Sequence, residues 1–326
     1  NVDAYELYLR GRTLFQSRRN LNEADVLLEK AIGIDPKFAD ALAIRAAIHQ
    51  FGGEYGADLG DERAARATGR IFAEQALALN PDSSLALGIT ALGNFYDRLE
   101  GHGSVSYADI FAAYDRAVDL DPTNANALNW QGITYNYVGD YERAAAIHRR
   151  CVEIDPALAA CRSNYAVELA SLGRLDEASA AVDAAIDAGA FAVGPVQMLL
   201  LAELKRRDAF LLLSHNLPAL KGFRKFNALY DGLSEPGGDD RALAAQLRAL
   251  FSENKASRRV YPLLNALGDY SMTTLVVANG LDVMAGYRRS PELKAHARAS
   301  GVDDYWKAHG FPPQCKAVGK DDFACQ

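Results

Sequence analysis

The sequence lacks the motifs on which the common enzyme classes depend. It contains no G-x-S-x-G, no P-loop, no H-E-x-x-H and no glycine-rich dinucleotide fingerprint that follows a strand. Its six histidines stand singly, and its four cysteines lack the short spacing of structural zinc ligands. We therefore predict no catalytic residue, no metal site and no cofactor. An enzyme whose site is assembled from dispersed residues is the least favoured class.

Long apolar runs and excess positive charge are also missing. No apolar run approaches the ~20 residues that a membrane span requires. The net charge of −7 disfavours non-specific attraction to nucleic acid or to an anionic membrane. With 326 residues and 49% hydrophobic content, the chain can bury a large core or form an extended helical stack.

A 34-residue repeat organises the middle of the chain, in residues 125–156 and 159–190. Each unit has the pattern of two helices, with small residues where the helices would cross and a glycine where the first helix would end. The matched positions are Gly132 with Ala166, Gly139 with Gly173, and Ala144 with Ala178. On these residues the chain resembles the tetratricopeptide repeat family, whose helix–turn–helix units stack into a solenoid.

Four Asp-Pro or Asn-Pro pairs mark the repeat ends, because the residue before a proline is pushed out of helical geometry. Their prolines, at positions 36, 81, 122 and 156, lie 45, 41 and 34 residues apart. Repeats two and three are thus longer than the standard unit, and the extra residues fall near 52–60 and 100–104. We interpret both insertions as surface loops, or as loops beside a binding face.

The predicted fold class is all-α, a right-handed tetratricopeptide superhelix with a short irregular C-terminal tail closed by a disulfide. Five repeats are expected in residues 1–190, and degenerate helical pairs that continue the solenoid in 191–300. The latter include helices at 260–267 and 273–285. A separate all-helical domain is the alternative for 191–300. Residues 301–326 form the predicted tail.

The four cysteines form two local pairs, each ten residues apart. A Cys315–Cys325 disulfide would hold a segment that has little core of its own. A Cys151–Cys161 disulfide would cross the helix junction at Pro156, although Cys151 could instead be a buried free thiol. An even number of paired cysteines favours an oxidising compartment.

The two ends of the chain carry a finer resemblance. The opening AYELYLRGR and the tail YW…GFP…C…DDF-x-C resemble one bacterial group, namely the exported repeat region of ToxR-like winged-helix transmembrane regulators or of repeat-bearing adenylate cyclases. The resemblance implies a periplasmic sensor domain with a membrane anchor upstream of residue 1. A free-standing periplasmic scaffold for envelope protein assembly is the alternative. A membrane span after a winged-helix or cyclase domain would indicate the sensor, and a cleavable signal peptide the scaffold.

The family resemblance also implies where a partner would bind, because the first helix of each repeat lines a concave groove. Asparagines could bond the backbone of an extended peptide there, while aromatic rings pack its side chains. The predicted contact residues are Gln50, Phe51, Phe95, Tyr96, Asn126, Asn129, Asn136 and Tyr137. We expect Asn129 and Tyr137 not to pack between helices. The alternative is that all eight belong to ordinary solvated helix faces.

Overall fold

The computed structural model describes residues 1–234, 240–254, 261–271 and 280–326, without the side chain of Glu54. The chain divides into two compact units. The first contains residues 1–97 and 104–131, and the second contains residues 98–103 and 132–326. The predicted boundaries at residues 190 and 300 stay predictions.

The first unit is built from successive antiparallel helices. They are α1 Val2–Ser17, α2 Leu21–Ile34, α3 Ala39–Phe51, α4 Glu62–Leu79, α5 Ser84–Leu99 and α6 Tyr107–Leu120, followed by the start of α7 Ala125–Tyr137. Side-chain oxygens of Asn1, Asp61 and Ser106 accept backbone N–H groups in the first turns of α1, α4 and α6. These helices therefore begin where a polar side chain satisfies otherwise unbonded donors.

Proline sets where the second helix of each early repeat ends. The residues that follow α2, α4 and α6 are Asp35, Asn80 and Asp121, and each precedes a proline. Their φ angles lie between −129° and −140°, which takes the chain out of helical geometry as the sequence predicts.

The second unit continues with helical pairs. Its helices after α7 are α8 Tyr141–Ile154, α9 Ala159–Ser171, α10 Leu175–Asp187, α11 Pro195–Glu203, α12 Arg207–Ser214, α13 Phe226–Leu233, α14 Arg241–Glu253, α15 Pro262–Ala266, α16 Ala285–Arg288, α17 Pro291–Ser300 and α18 Val302–His309. The predicted helix at 273–285 lies mostly outside the described residues, and its described end forms a 3₁₀ turn, Asp282–Met284, before α16. The all-α class of paired, tetratricopeptide-like helices is confirmed.

The C-terminal tail is ordered, so the prediction of an irregular segment is wrong. It consists of α18 and a two-stranded antiparallel hairpin, β1 Cys315–Val318 and β2 Asp322–Cys325. Trp306 supplies the reason, because its buried ring meets the Phe323 ring edge-on at 5.1 Å between centroids. The Trp306 Nε1 also donates to the Val138 carbonyl at 2.7 Å, which fixes the tail on the end of α7.

Glycines close the turns that the repeat pattern predicts. Gly139 has φ +80°, and Gly173 has φ +75°, a region that favours glycine. Gly132 has a different role, because a Cβ added there would lie 2.5 Å from the His148 ring of α8. The structure thus leaves no room for a side chain at this position, and the nearest atoms of α8 belong to His148.

We predict that Gly132→Ala lowers the free energy of unfolding by about 1–3 kcal/mol, because the added methyl group forces the buried His148 ring to move. The matched control is Gly33→Ala on α2, where a Cβ would meet no atom within 4 Å. That change is expected to stabilise the helix by about 0.5–1 kcal/mol. Chemical denaturation of both variants checks the prediction, and equal effects would contradict it.

Candidate partner-binding face

Six of the eight predicted contact residues are buried by the chain itself. In the first unit these are Gln50 and Phe51 on α3, Phe95 and Tyr96 on α5, and Asn129 on α7. In the second unit Asn136 is buried. Asn126 and Tyr137 are more exposed. All eight residues stay contact residues only by prediction.

The burial of Asn129 corrects one expectation directly. Its side chain is 4% exposed, so it packs inside the first unit rather than on a solvated helix face. A substitution at Asn129 would therefore disturb the fold together with any binding. The same holds for Phe95, which is 0% exposed and packs with its ring 5.5 Å from that of Tyr96.

An arginine occupies the space around Phe51 in the first unit. The Arg18 guanidinium lies over the Phe15 and Phe51 rings, at 4.3 and 5.0 Å from their centroids. It also donates a hydrogen bond to Oδ1 of Asn126. The Phe51 ring lies 5.8 Å from that of Trp130. Phe51 and Asn126, two residues predicted to contact a partner, therefore already contact other side chains of the first unit.

A buried polar network uses Asn136 in the second unit. Its Nδ2 donates to Oε1 of Glu168 at 3.2 Å, and Oε2 of Glu168 lies 2.9 Å from Nδ1 of His148. Burial raises the pKa of Glu168, while His148 and Asn136 act to lower it. The sequence does not indicate this network, because residues 136, 148 and 168 share no spacing that marks them as neighbours.

The corresponding face of α9 is closed as well. The positions equivalent to the four predicted contacts on α7 are all buried there; they are Ala160, Ser163, Ala170 and Ser171. Residues that follow later in the second unit cover part of this face of α9. The Ala192 N–H donates to Oγ of Ser163 at 2.7 Å, and Nε2 of Gln314 donates to the Ser171 carbonyl at 2.9 Å.

Tyr137 is half-buried at the end of α7, and burial raises its pKa to about 12. Ile133 lies one turn earlier on the same helix and is also half-buried. These two residues form the α7 face, the part of the predicted groove in the second unit where an aromatic and an aliphatic side chain both meet solvent. An apolar contact of a partner is chemically possible there.

Two disulfides stabilise the second unit, and both match the predicted pairs. Cys151 and Cys161 join the end of α8 to the start of α9, with Cα atoms 5.9 Å apart. The alternative of a free thiol at Cys151 is therefore wrong. Cys315 and Cys325 join the two hairpin strands at directly opposed positions. Disulfides of this kind are typical of proteins from oxidising compartments.

The first unit also contains a charged cluster that no spacing in the sequence indicates. Nε and Nη2 of Arg45 donate to the two oxygens of Asp25 at 2.8 and 3.0 Å, and Nε2 of His49 lies 3.2 Å from Oδ1. The Arg45 guanidinium also lies 4.5 Å from the centroid of the Phe72 ring. Burial alone would raise the pKa of Asp25, but hydrogen bonds from His49 and Arg45 outweigh it and lower that pKa to about 2.

Within residues 1–234, 240–254, 261–271 and 280–326, no group of three or more histidine, cysteine, aspartate or glutamate residues is placed to hold a metal ion. Within the same residues, no helix combines the length and the apolar character needed to span a membrane.

One comparison supports a tetratricopeptide repeat within the chain. A family model described as "Tetratricopeptide repeat" matches residues 113–146, which include all of α7. No curated protein matches the chain. Among solved structures, the chain is similar to PilW, described as a widely conserved type IV pilus biogenesis factor. The identity is 18% over 69% of this chain and 97% of that one, with a TM-score of 0.45. Neither match bears on the ToxR-like or cyclase resemblance.

We predict that Asp25→Asn lowers the free energy of unfolding by about 1–2 kcal/mol near neutral pH, allowing for partial solvent screening. The folded pKa, about 2, lies below the ordinary aspartate pKa of 3.8, so the Asp25 contribution to stability is fully present above pH 3.8. It is lost as the pH falls toward 2. On acidification, the free energy of unfolding of the variant should therefore fall less than that of the wild-type protein.

Denaturation at neutral and at acidic pH measures this effect. The control is Asp119→Asn on α6, an exposed acid of the same unit. If both variants lose the same stability at neutral pH, the Asp25 cluster does not have the expected role.

Proposed function

We propose that the chain is a non-catalytic interaction domain that binds a protein or peptide partner. The observation that carries this proposal is the stacking of paired helices together with the family match at residues 113–146. Stacked helical repeats present extended surfaces, and such surfaces suit recognition of another chain better than they suit chemistry on a small molecule.

The α7 face, Ile133 and Tyr137, is the contact surface that we favour. Tyrosine is enriched at binding hot spots, and its ring offers a large apolar contact area. Tyr137 keeps some exposure, whereas Asn136 beside it is committed to Glu168. Of the predicted contacts in the second unit, Tyr137 is thus the one that a partner reaches at least cost to the fold.

The compartment and the biological role are finer parts of the proposal. Two disulfides support an exported, periplasmic location. The opening and tail motifs support a sensor region of a ToxR-like transmembrane regulator or of a repeat-bearing cyclase. An envelope assembly scaffold would use the same binding chemistry. The protein sequence encoded upstream of Asn1 distinguishes the two roles.

We predict that peptides selected on the wild-type protein from a phage-displayed library bind Tyr137→Ala about tenfold more weakly. Truncation of a central aromatic contact typically costs 1–2 kcal/mol or more, which corresponds to this change in Kd. Calorimetry with the selected peptides gives the affinities, and thermal melting shows whether the variant keeps its fold.

The matched control is Tyr5→Ala on α1, a tyrosine that is 53% exposed. Its loss should leave the affinity of the selected peptides unchanged. If no peptide is enriched, or if both tyrosine variants weaken binding equally, the α7 face is not the contact surface.

We also predict that all four cysteines resist alkylation when periplasmic material is denatured without a reductant. Denaturation is needed because Cys151 and Cys161 are 0% exposed, so that even free thiols would be shielded in the folded protein. Mass spectrometry detects the added groups, and a reduced sample is the positive control. Alkylation of both Cys315 and Cys325 in the non-reduced sample would refute the Cys315–Cys325 disulfide in the periplasm and remove the support that it gives to an exported location.

A further inference from the structure

Helix α1 carries two apolar stripes, and the fold covers only one of them. The covered stripe packs into the first unit and consists of Ala4, Tyr8, Gly11 and Phe15. The other, which we call the α1 stripe, consists of Val2, Tyr5 and Leu9. Their side chains are 74%, 53% and 39% exposed. Because they lie three and four positions apart, they share one side of the helix.

The α1 stripe is unusual for the outer helix of a helical stack. Repeats bury their apolar faces against neighbouring repeats, and the terminal repeats of a solenoid need a polar outer face to stay soluble. Helix α1 packs on α2 and α3 with its covered stripe, and the α1 stripe stays accessible. Single exposed apolar residues are common, but three on one side of a helix offer another helix a place to pack.

Two opposite charges lie along one edge of the α1 stripe. Glu6 and Arg10 are both exposed and stand four positions apart. A glutamate and an arginine at this spacing can form an ion pair within one helix. Here neither side chain makes a hydrogen bond or an ion pair with any residue that the structure describes. Both charges are therefore available to a partner.

The order of these residues along α1 is self-complementary. In an antiparallel pair of identical helices related by a two-fold axis, each edge of one helix faces the same edge of the other. A pair centred on position 8 places Glu6 of each helix opposite Arg10 of the other. In this register Leu9 lies between Leu9 and Tyr5 of the second copy, so the stripes interdigitate. A parallel pair would bring like charges together.

We propose that α1 binds a second copy of this chain through an antiparallel pairing of the two α1 stripes. Val2, Tyr5 and Leu9 of each copy form the apolar contact. Two symmetric ion pairs between Glu6 and Arg10 fix the register. The interface is small, so the association is weak. It lies in the first unit and the α7 face in the second, so this proposal and the proposed function can fail separately.

Long-range repulsion between the copies acts against this pairing. The first unit contains 18 acidic and 11 basic residues, which gives it a net charge of −7. At about 0.15 M salt the Debye length is about 8 Å, so repulsion between distant charges is screened while direct contacts across the stripe are kept. Association is therefore measured at this ionic strength.

Sedimentation equilibrium of the whole chain between about 10 and 500 μM tests the pairing. We expect the average mass to rise with concentration from 35.3 kDa toward twice that value. Tyr5→Ser with Leu9→Ser should raise the dissociation constant of the dimer at least about tenfold, because it removes most of the apolar contact. The matched control is Ile71→Ser with Leu212→Ser, on α4 and α12, where the side chains are 53% and 72% exposed. It should associate like the wild-type chain.

Charge variants test the register without any loss of apolar surface. Glu6→Arg alone and Arg10→Glu alone should each raise the dissociation constant about tenfold, because each change places two pairs of like charges in contact. The combined variant, Glu6→Arg with Arg10→Glu, restores opposite charges and should associate within about twofold of the wild-type chain. Thermal melting shows whether each variant keeps its fold.

Three results would overturn the proposal. The first is a wild-type chain that keeps the monomer mass at every concentration. The second is an equal loss of association in the stripe variant and in the control, which would place the contact elsewhere. The third is an association that Glu6→Arg strengthens and Arg10→Glu weakens, because net charge rather than pairing across the stripe would then control it.

Discussion

The close crossing of α7 and α8 at Gly132 positions the side chains that hold α7, α8 and α9 together. A glycine there lets the His148 ring lie directly against the α7 backbone, and the ring then reaches Glu168 on α9. Because both side chains are almost wholly buried, each needs the other as a partner, and loss of one would leave an uncompensated polar group. The Cys151–Cys161 disulfide, which begins one turn further along α8, joins α8 to α9 covalently.

In this arrangement, polar residues on the first helices bond to the protein's own side chains. An asparagine at a groove position suggests a peptide contact when only the repeat register is known. In the folded chain Asn136 completes the Glu168 network, and Asn126 accepts a hydrogen bond from Arg18. A repeat protein that uses its inner positions for its own packing keeps fewer of them for a partner. Recognition then depends on the few side chains that stay accessible, such as Tyr137.

The C-terminal tail illustrates how little core a short segment needs when it can use the core of its neighbours. Trp306 is almost fully buried, and its indole N–H bonds the Val138 carbonyl, a group left without a helical partner at the end of α7. Pro312 packs on Gly139 in the adjoining turn. The disulfide of Cys315 then closes a hairpin that is already anchored at Phe323, so the tail holds one conformation.

Local patterns in the sequence determined the helical class, the repeat unit, the ends of α2, α4 and α6, and both cysteine pairs. These features depend on residues close together in the chain: a proline acts on the residue before it, and cysteines ten positions apart can meet across one turn. Only the tertiary structure decided which side chains are buried. The Asp25–Arg45–His49 cluster, the Asn136–Glu168–His148 network and the cover over α9 join residues about 20 to 143 positions apart. Their meeting depends on how helices stack, and helix periodicity gives the direction of a side chain but not what lies opposite it.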